Sequence, residues 1–157
     1  MLFSPCREGE KCMSEGTAAS TASLLPHGAP DDSGALLFLQ TVRRMGVGGL
    51  GDAYAVSLLI GAFGLSFRRP LVLSRALMAE LARASQRSIM IAPSCCCRMT
   101  LAESVLLGAV ATAREQPVAA HQRLCQLCGV DRALGILSSA QAVAQAFADL
   151  GRPIEAA

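Results

Sequence analysis

Aromatic side chains are scarce in this chain of 157 residues, which has no tryptophan, one tyrosine and five phenylalanines. A surface that stacks on single-stranded nucleic acid needs several exposed rings, so this composition disfavours that class of protein. The core has to be built from leucine, valine, alanine and methionine. As a set, these residues favour helices over sheets.

Long hydrophobic runs are also missing. The longest uncharged apolar run is AYAVSLLIGAFGLSF, residues 53–67, which is shorter than the roughly 20 residues that a transmembrane helix needs. We therefore expect no transmembrane span and predict that 52–63 forms the central, most buried helix. The N-terminus becomes charged at Arg7 and lacks the apolar core of a signal peptide. We expect a cytoplasmic protein with reduced thiols.

Histidine is rare, with only His27 and His121 in the chain. General acid–base catalysis needs paired groups within reach of each other, and the sequence shows no carboxylate pair or nucleophile motif. We assign no catalytic residue, and enzymatic activity has no support. The glycine cluster GVGGLG at 46–51 has the spacing of a dinucleotide-binding loop. It follows a predicted helix instead of a strand, so we interpret it as a turn between helices.

Helical periodicity dominates from residue 31 onward. Capping residues, glycines and prolines place the ends of the helices near 33–45, 52–63, 70–87, 100–115, 117–128 and 131–150. The last of these has a possible break at Gly135 or at Ser138–Ser139. We predict an all-α protein with one domain at 31–154, a compact bundle of five to seven helices. Residues 1–30 are rich in serine, threonine, glycine and alanine and are predicted to be a flexible, disordered tail.

Positive charge is concentrated in residues 43–98, which hold eight arginines and only two acids. Five of these arginines are predicted to form a basic face on and just before the third helix: Arg68, Arg69, Arg75, Arg83 and Arg87. The leading prediction is a non-enzymatic interaction or regulatory module that binds another protein through this face. Nucleic-acid binding ranks third, because the net charge is only +2. The oligomeric state stays open.

Three of the seven cysteines, Cys95, Cys96 and Cys97, stand in a row before the predicted helix start at Thr100. A helix N-terminus and the neighbouring Arg98 both favour a thiolate. On a later helix, one face carries three more candidate ligands at spacings of four and three residues: His121, Cys125 and Cys128.

These six residues support two chemical interpretations and one structural one. Two loop thiols and two ligands from the helix would make a tetrahedral zinc site. A redox-sensing thiol in the loop is the other chemical interpretation. The structural interpretation is that the cysteines are small packing residues. We expect no cofactor, and zinc is the one alternative left open.

Several segments together resemble a known family. They are LPHGAPDD, RRMGVGGLGDA, GAFGLSFRRPLVLSRALMAELA, IAPSCCCRMTLAE and FADLGRP. The set is similar to a family of small alphaproteobacterial proteins of the sphingomonad type, known as a domain of unknown function. The resemblance covers residues 25–154 and implies a small, helical, bacterial protein. It implies no activity and carries over no functional residue.

Overall fold

The computed structural model describes residues 25–155. Its elements, in chain order, are β1 (His27–Gly28), α1 (Ser33–Gly48), α2 (Ala53–Phe63), a 3-10 turn (Gly64–Phe67), α3 (Arg68–Ala84), β2 (Arg98–Met99), α4 (Leu101–Thr112), α5 (Pro117–Cys128) and α6 (Leu134–Asp149). Six α-helical segments carry labels here, but α2, the 3-10 turn and α3 follow one another without a gap. Counted as one continuous helical run, they bring the number of helices in the described part to five. The predicted all-α bundle of five to seven helices is confirmed.

Local signals in the sequence start and stop several helices where expected. Asp32 caps α1 and Asp52 caps α2, each accepting a hydrogen bond from a backbone N–H of the first turn. Thr100 opens α4 with a complete capping box. Pro117 occupies the first turn of α5, and Gly129 ends that helix in the left-handed conformation at φ 68°.

Other helix ends differ from the prediction by up to three residues, and a tertiary contact accounts for one of these differences. The third helix was predicted to reach residue 87, but α3 ends at Ala84 because Ser85 turns to an extended conformation. The next N–H group, that of Gln86, donates to the carbonyl of Cys128 at 2.8 Å. Helix α6 runs through Gly135 without the predicted break.

The core is aliphatic around a small aromatic centre. Phe147 of α6 lies edge-on to Phe38 of α1 and to Phe63 of α2, with ring centroids 6.1 and 5.2 Å apart. Leucine, alanine and valine from all the helices pack around this centre. Both Phe38 and Phe147 belong to the apolar stripes seen in the sequence, and each is almost fully buried.

Helix α2 contradicts its predicted burial. It was expected to be the most buried helix, yet only Ala55 and Leu59 are buried among its eleven residues. The helix lies at the surface of the bundle and packs one narrow face against α1. Apolar composition on all sides therefore did not imply burial on all sides.

The two short strands attach the N-terminal segment to the domain. They pair antiparallel, with His27 opposite Met99 and Gly28 opposite Arg98. Most of the predicted tail, residues 1–24, lies outside the described residues. The described part, 25–30, contains β1 and ends at Pro30, which is buried.

Candidate functional site

A buried arginine of α1 binds the backbone of the loop that carries the three cysteines. The Arg43 side chain is fully buried and forms a two-pronged ion pair with Glu103 of α4, with Nε–Oε1 at 2.8 Å and Nη2–Oε2 at 2.9 Å. Its guanidinium also donates to the carbonyls of Cys96 at 2.6 Å and Arg98 at 2.7 Å. A planar group with five donors suits this task, because it binds a carboxylate and two carbonyls at once.

Glu103 connects the same loop to the start of α4. Besides the two bonds from Arg43, its carboxylate accepts the N–H groups of Ala92 at 3.0 Å and Thr100 at 2.9 Å. The Thr100 hydroxyl oxygen accepts the N–H of Glu103, which completes the capping box, and the same hydroxyl donates to the Met90 carbonyl. Each carboxylate oxygen thus has two donors, which offsets the cost of burying the charge.

The loop also forms hydrogen bonds with the N-terminal segment. Arg98 donates to the carbonyls of Leu25 at 2.7 Å and Pro26 at 2.9 Å. The N–H of Ala29 donates to the Cys97 carbonyl at 3.2 Å. Backbone bonds on both sides give the loop a defined shape.

The loop thiols are accessible, whereas the sulfurs of α5 are less so. Cys95 and Cys97 are exposed, and Cys96 and Cys125 are partly buried. Cys128 is fully buried, and this burial raises the pKa of its thiol. The cysteines that can react most readily from solvent are therefore those of the loop.

One pair of the predicted α5 ligands does meet. The Cys125 sulfur lies 3.6 Å from Nε2 of His121. That nitrogen also accepts the N–H of Ala133 at 3.1 Å, so in this arrangement its lone pair is already engaged by the backbone. Within residues 25–155, no group of three or more His, Cys, Asp or Glu side chains is placed to hold a metal ion. The shared zinc site stays a prediction, because the described residues show no such cluster of ligands.

Most arginines of the predicted basic face have partners within the protein. Arg69 pairs with Asp149 at 2.7 Å, and Arg83 pairs with Glu80 at 2.6 Å. A hydrogen bond from Gln145, followed by the one from Arg69, lowers the pKa of Asp149. Acidic side chains therefore neutralise part of the basic face. Asp149 is distant from Arg69 in the sequence, and Glu80 lies on α3 together with Arg83.

The other three arginines differ from one another. Arg75 donates to the carbonyl of Leu50 at 2.7 Å, in the loop between α1 and α2. Arg87 lies beyond α3 and extends along Gly129, beside an open cleft of about 320 Å³ that also includes Cys125. Arg68 is exposed, and its side chain makes no hydrogen bond or ion pair with the described residues. Among the described residues, the Arg87 side chain likewise has no hydrogen-bond or ion-pair partner, so Arg68 and Arg87 are the members of the face left free to meet an external group.

An exposed apolar strip on α2 and the 3-10 turn is the other conspicuous feature. Three large side chains of this segment are exposed to solvent: Tyr54 is 65% exposed, Ile60 is 45% exposed and Leu65 is 99% exposed. Helical spacing places Arg68 one turn after Leu65 on the same side. We call Tyr54, Ile60 and Leu65 the α2 strip.

The segment that carries the α2 strip also passes a length-and-composition test for a membrane helix. The continuous stretch Ala53–Ala84 contains a window with a mean hydropathy of 1.5, of which 17% is buried. Its backbone is not one straight helix, however, because Gly64 has φ 56° and ψ −129°. These angles lie outside the helical region, so the chain turns a corner between α2 and α3.

Sequence reasoning missed both Arg43 and the α2 strip. Arg43 lies beside Val42 on the apolar side of α1, but charged side chains near the edge of a stripe usually face water. One signal was present, since Glu103 is the acid of a capping box, and such a residue is held near a helix start. For the α2 strip, no local signal distinguishes a buried apolar helix from an exposed one.

Comparison with known proteins shows the family. Neither a curated protein nor a solved structure matches the chain. The model of a family of unknown function, DUF6628, matches residues 15–148. This agrees with the resemblance to a domain of unknown function inferred from the sequence segments. Because the match covers most of the 157 residues, the chain belongs to the DUF6628 family.

Proposed function

We propose that this protein is a non-enzymatic interaction module that docks through the α2 strip, with Arg68 at the edge of the docking surface. The observation that carries the proposal is the exposure of Leu65, which is 99% accessible at the end of an ordered apolar helix. Several exposed large apolar side chains on one ordered segment mark an interaction site more often than an isolated exposed leucine does.

The proposal keeps one part of the basic face predicted from the sequence. Arg69, Arg75 and Arg83 bind groups of the protein itself, so they have less charge to offer a partner. Arg68 remains accessible beside the α2 strip. The docking surface is therefore mainly apolar with a cationic edge.

Site-specific photocrosslinking in cells tests the docking surface. A benzophenone side chain replaces Leu65 in one variant and Val118 in another. Val118 is a matched control, since it is 71% exposed and lies on α5. An adduct formed from position 65 and absent from position 118 is expected. Equal adducts, or none from position 65, would contradict the proposal.

A thiol-sensing role is the second candidate, because Cys95 and Cys97 are exposed on a loop whose backbone is held by Arg43. Oxidation there would change the charge and volume of side chains whose backbone is bonded to the core. Exposure of the protein to low concentrations of peroxide, followed by peptide mass spectrometry, tests this role. Modification of Cys95 or Cys97 ahead of the other cysteines is expected, and modification of all thiols alike would contradict it.

Nucleic-acid binding and a zinc site have less support. Three arginines of the basic face are engaged, and the described residues offer no cluster of metal ligands. The resemblance of residues 25–154 supports an alphaproteobacterial, sphingomonad-type origin as part of the proposal. A cytoplasmic location stays part of the proposal.

A further inference from the structure

We infer that the α2 strip docks on an anionic lipid surface, where α2 lies in the membrane interface, Leu65 inserts among the acyl chains and Arg68 contacts lipid phosphates. The inference rests on the proposed function, since it names the partner of the same docking surface. Four features of the segment carry it: the apolar tip, the charge around it, the nearby polar groups and the length of α2.

The apolar tip projects outward. Leu65 follows Gly64 at the corner between α2 and α3, and almost none of its side chain is covered by protein. Ile60, five residues earlier on α2, is also exposed. A projecting apolar side chain can be buried by a soft, deformable phase without a matching cavity, and the boundary between headgroups and acyl chains is such a phase.

The charge around the strip complements an anionic surface. From Ala53 to Ala79 the chain has no acidic residue and three arginines. Arg69 is paired with Asp149 and Arg75 binds the Leu50 carbonyl, so Arg68 supplies the positive charge that is free for an anionic surface. Asp52, just before this segment, accepts the N–H of Ala55 and contacts Arg44 at 3.5 Å, so its charge is partly compensated.

Two polar groups beside the α2 strip already have partners within the protein. The Ser57 hydroxyl donates to the Ala53 carbonyl at 2.9 Å, so it loses little when water is removed. The guanidinium of Arg44 lies 4.1 Å from the centre of the Tyr54 ring. This cation–π contact keeps the Arg44 charge partnered beside an exposed tyrosine, a residue type common at membrane interfaces.

The length of α2 favours lying on the membrane over crossing it. Its eleven residues correspond to about 16 Å at 1.5 Å per residue, roughly half of a hydrocarbon core about 30 Å thick. The non-helical backbone at Gly64 prevents α2 and α3 from acting as one straight span. A helix of this length with one exposed apolar side suits the interface.

Vesicle flotation with the full chain tests the inference. The protein is mixed with vesicles of phosphatidylcholine alone and with vesicles that contain about one third phosphatidylglycerol. We expect binding to the anionic vesicles, weakened by salt. Leu65→Ser should lower the partition coefficient about tenfold, and Arg68→Gln about fivefold. Val118→Ser is the control and should leave it unchanged. Circular dichroism verifies that each variant is folded.

The outcomes separate the lipid inference from the proposed function. No binding to anionic vesicles, equal binding to both kinds of vesicle, or equal effects of Leu65→Ser and Val118→Ser would each overturn the lipid partner. If position 65 then crosslinked a protein in cells while position 118 did not, the docking surface would stand with a different partner. If position 65 crosslinked nothing, the proposed function would fall too.

Discussion

Arg43 and Glu103 lie sixty positions apart and meet in a fully buried ion pair at 2.8 Å. The pair connects α1 to α4, and Arg43 continues to the carbonyls of the cysteine loop. A buried charge is stable only with its partner, so this contact makes the fold depend on one side chain from each helix.

Glu103→Gln should destabilise the protein by about 3–5 kcal/mol, because Arg43 stays buried without its counter-ion. Glutamine keeps the size of the side chain and can still serve in a capping box, so the change isolates the loss of charge. Urea unfolding followed by circular dichroism measures the effect. Glu80→Gln is the control, since it breaks the exposed pair with Arg83 and should change stability little. Equal losses in the two variants would contradict the role assigned to the buried pair.

Gly34→Ala should destabilise the protein, because a Cβ atom at this position would lie 2.2 Å from the Pro153 carbonyl oxygen. The C-terminal segment would have to move away from α1, at a cost of about 1–3 kcal/mol. Gly61→Ala is the matched control. Gly61 lies within α2, and a Cβ there would meet no atom within 4 Å. The control should gain about 0.5–1 kcal/mol from helix propensity. Thermal unfolding of both variants measures the difference, and a stable Gly34→Ala protein would disprove the close approach.

Thiol labelling should follow exposure among the described cysteines. Cys95 and Cys97 are expected to react first with a maleimide, and Cys128 last, because Cys128 is buried and its pKa is raised by that burial. Peptide mass spectrometry at successive times identifies each site. In urea above the unfolding midpoint the difference should vanish. Early labelling of Cys128 in the native protein would show that the α5 end opens readily.

Asp149 should titrate below the usual range of an aspartate, because Gln145 and Arg69 both donate to its carboxylate and lower its pKa. Its contribution to stability is therefore present above the pKa of an unfolded aspartate and is lost as the pH falls through the folded pKa. Carboxyl NMR titration measures the value. Gln145→Ala and Arg69→Gln should each raise it, and Arg83→Gln, which is remote from these contacts, should not. A pKa unchanged in all three variants would contradict the assigned contacts.

The helices could be predicted because their signals are local. Asp32, Asp52 and Thr100 each accept a hydrogen bond within three residues, and Gly129 needs only its own freedom at positive φ. Such contacts depend on neighbours in the chain, which the sequence displays directly. The end of α3 was missed because it depends on Cys128, more than forty residues away.

The sequence by itself determined the all-α class, the caps that begin the helices and the stripes that place Phe38 and Phe147 in the core. Only the tertiary structure decided which apolar helix stays exposed and which arginine becomes buried. Periodicity tells how a helix is divided into faces, but not how many neighbours cover them. Arg43 enters the core because Glu103 and two loop carbonyls meet it there. The α2 strip stays outside because the bundle covers only the side of α2 that carries Ala55 and Leu59.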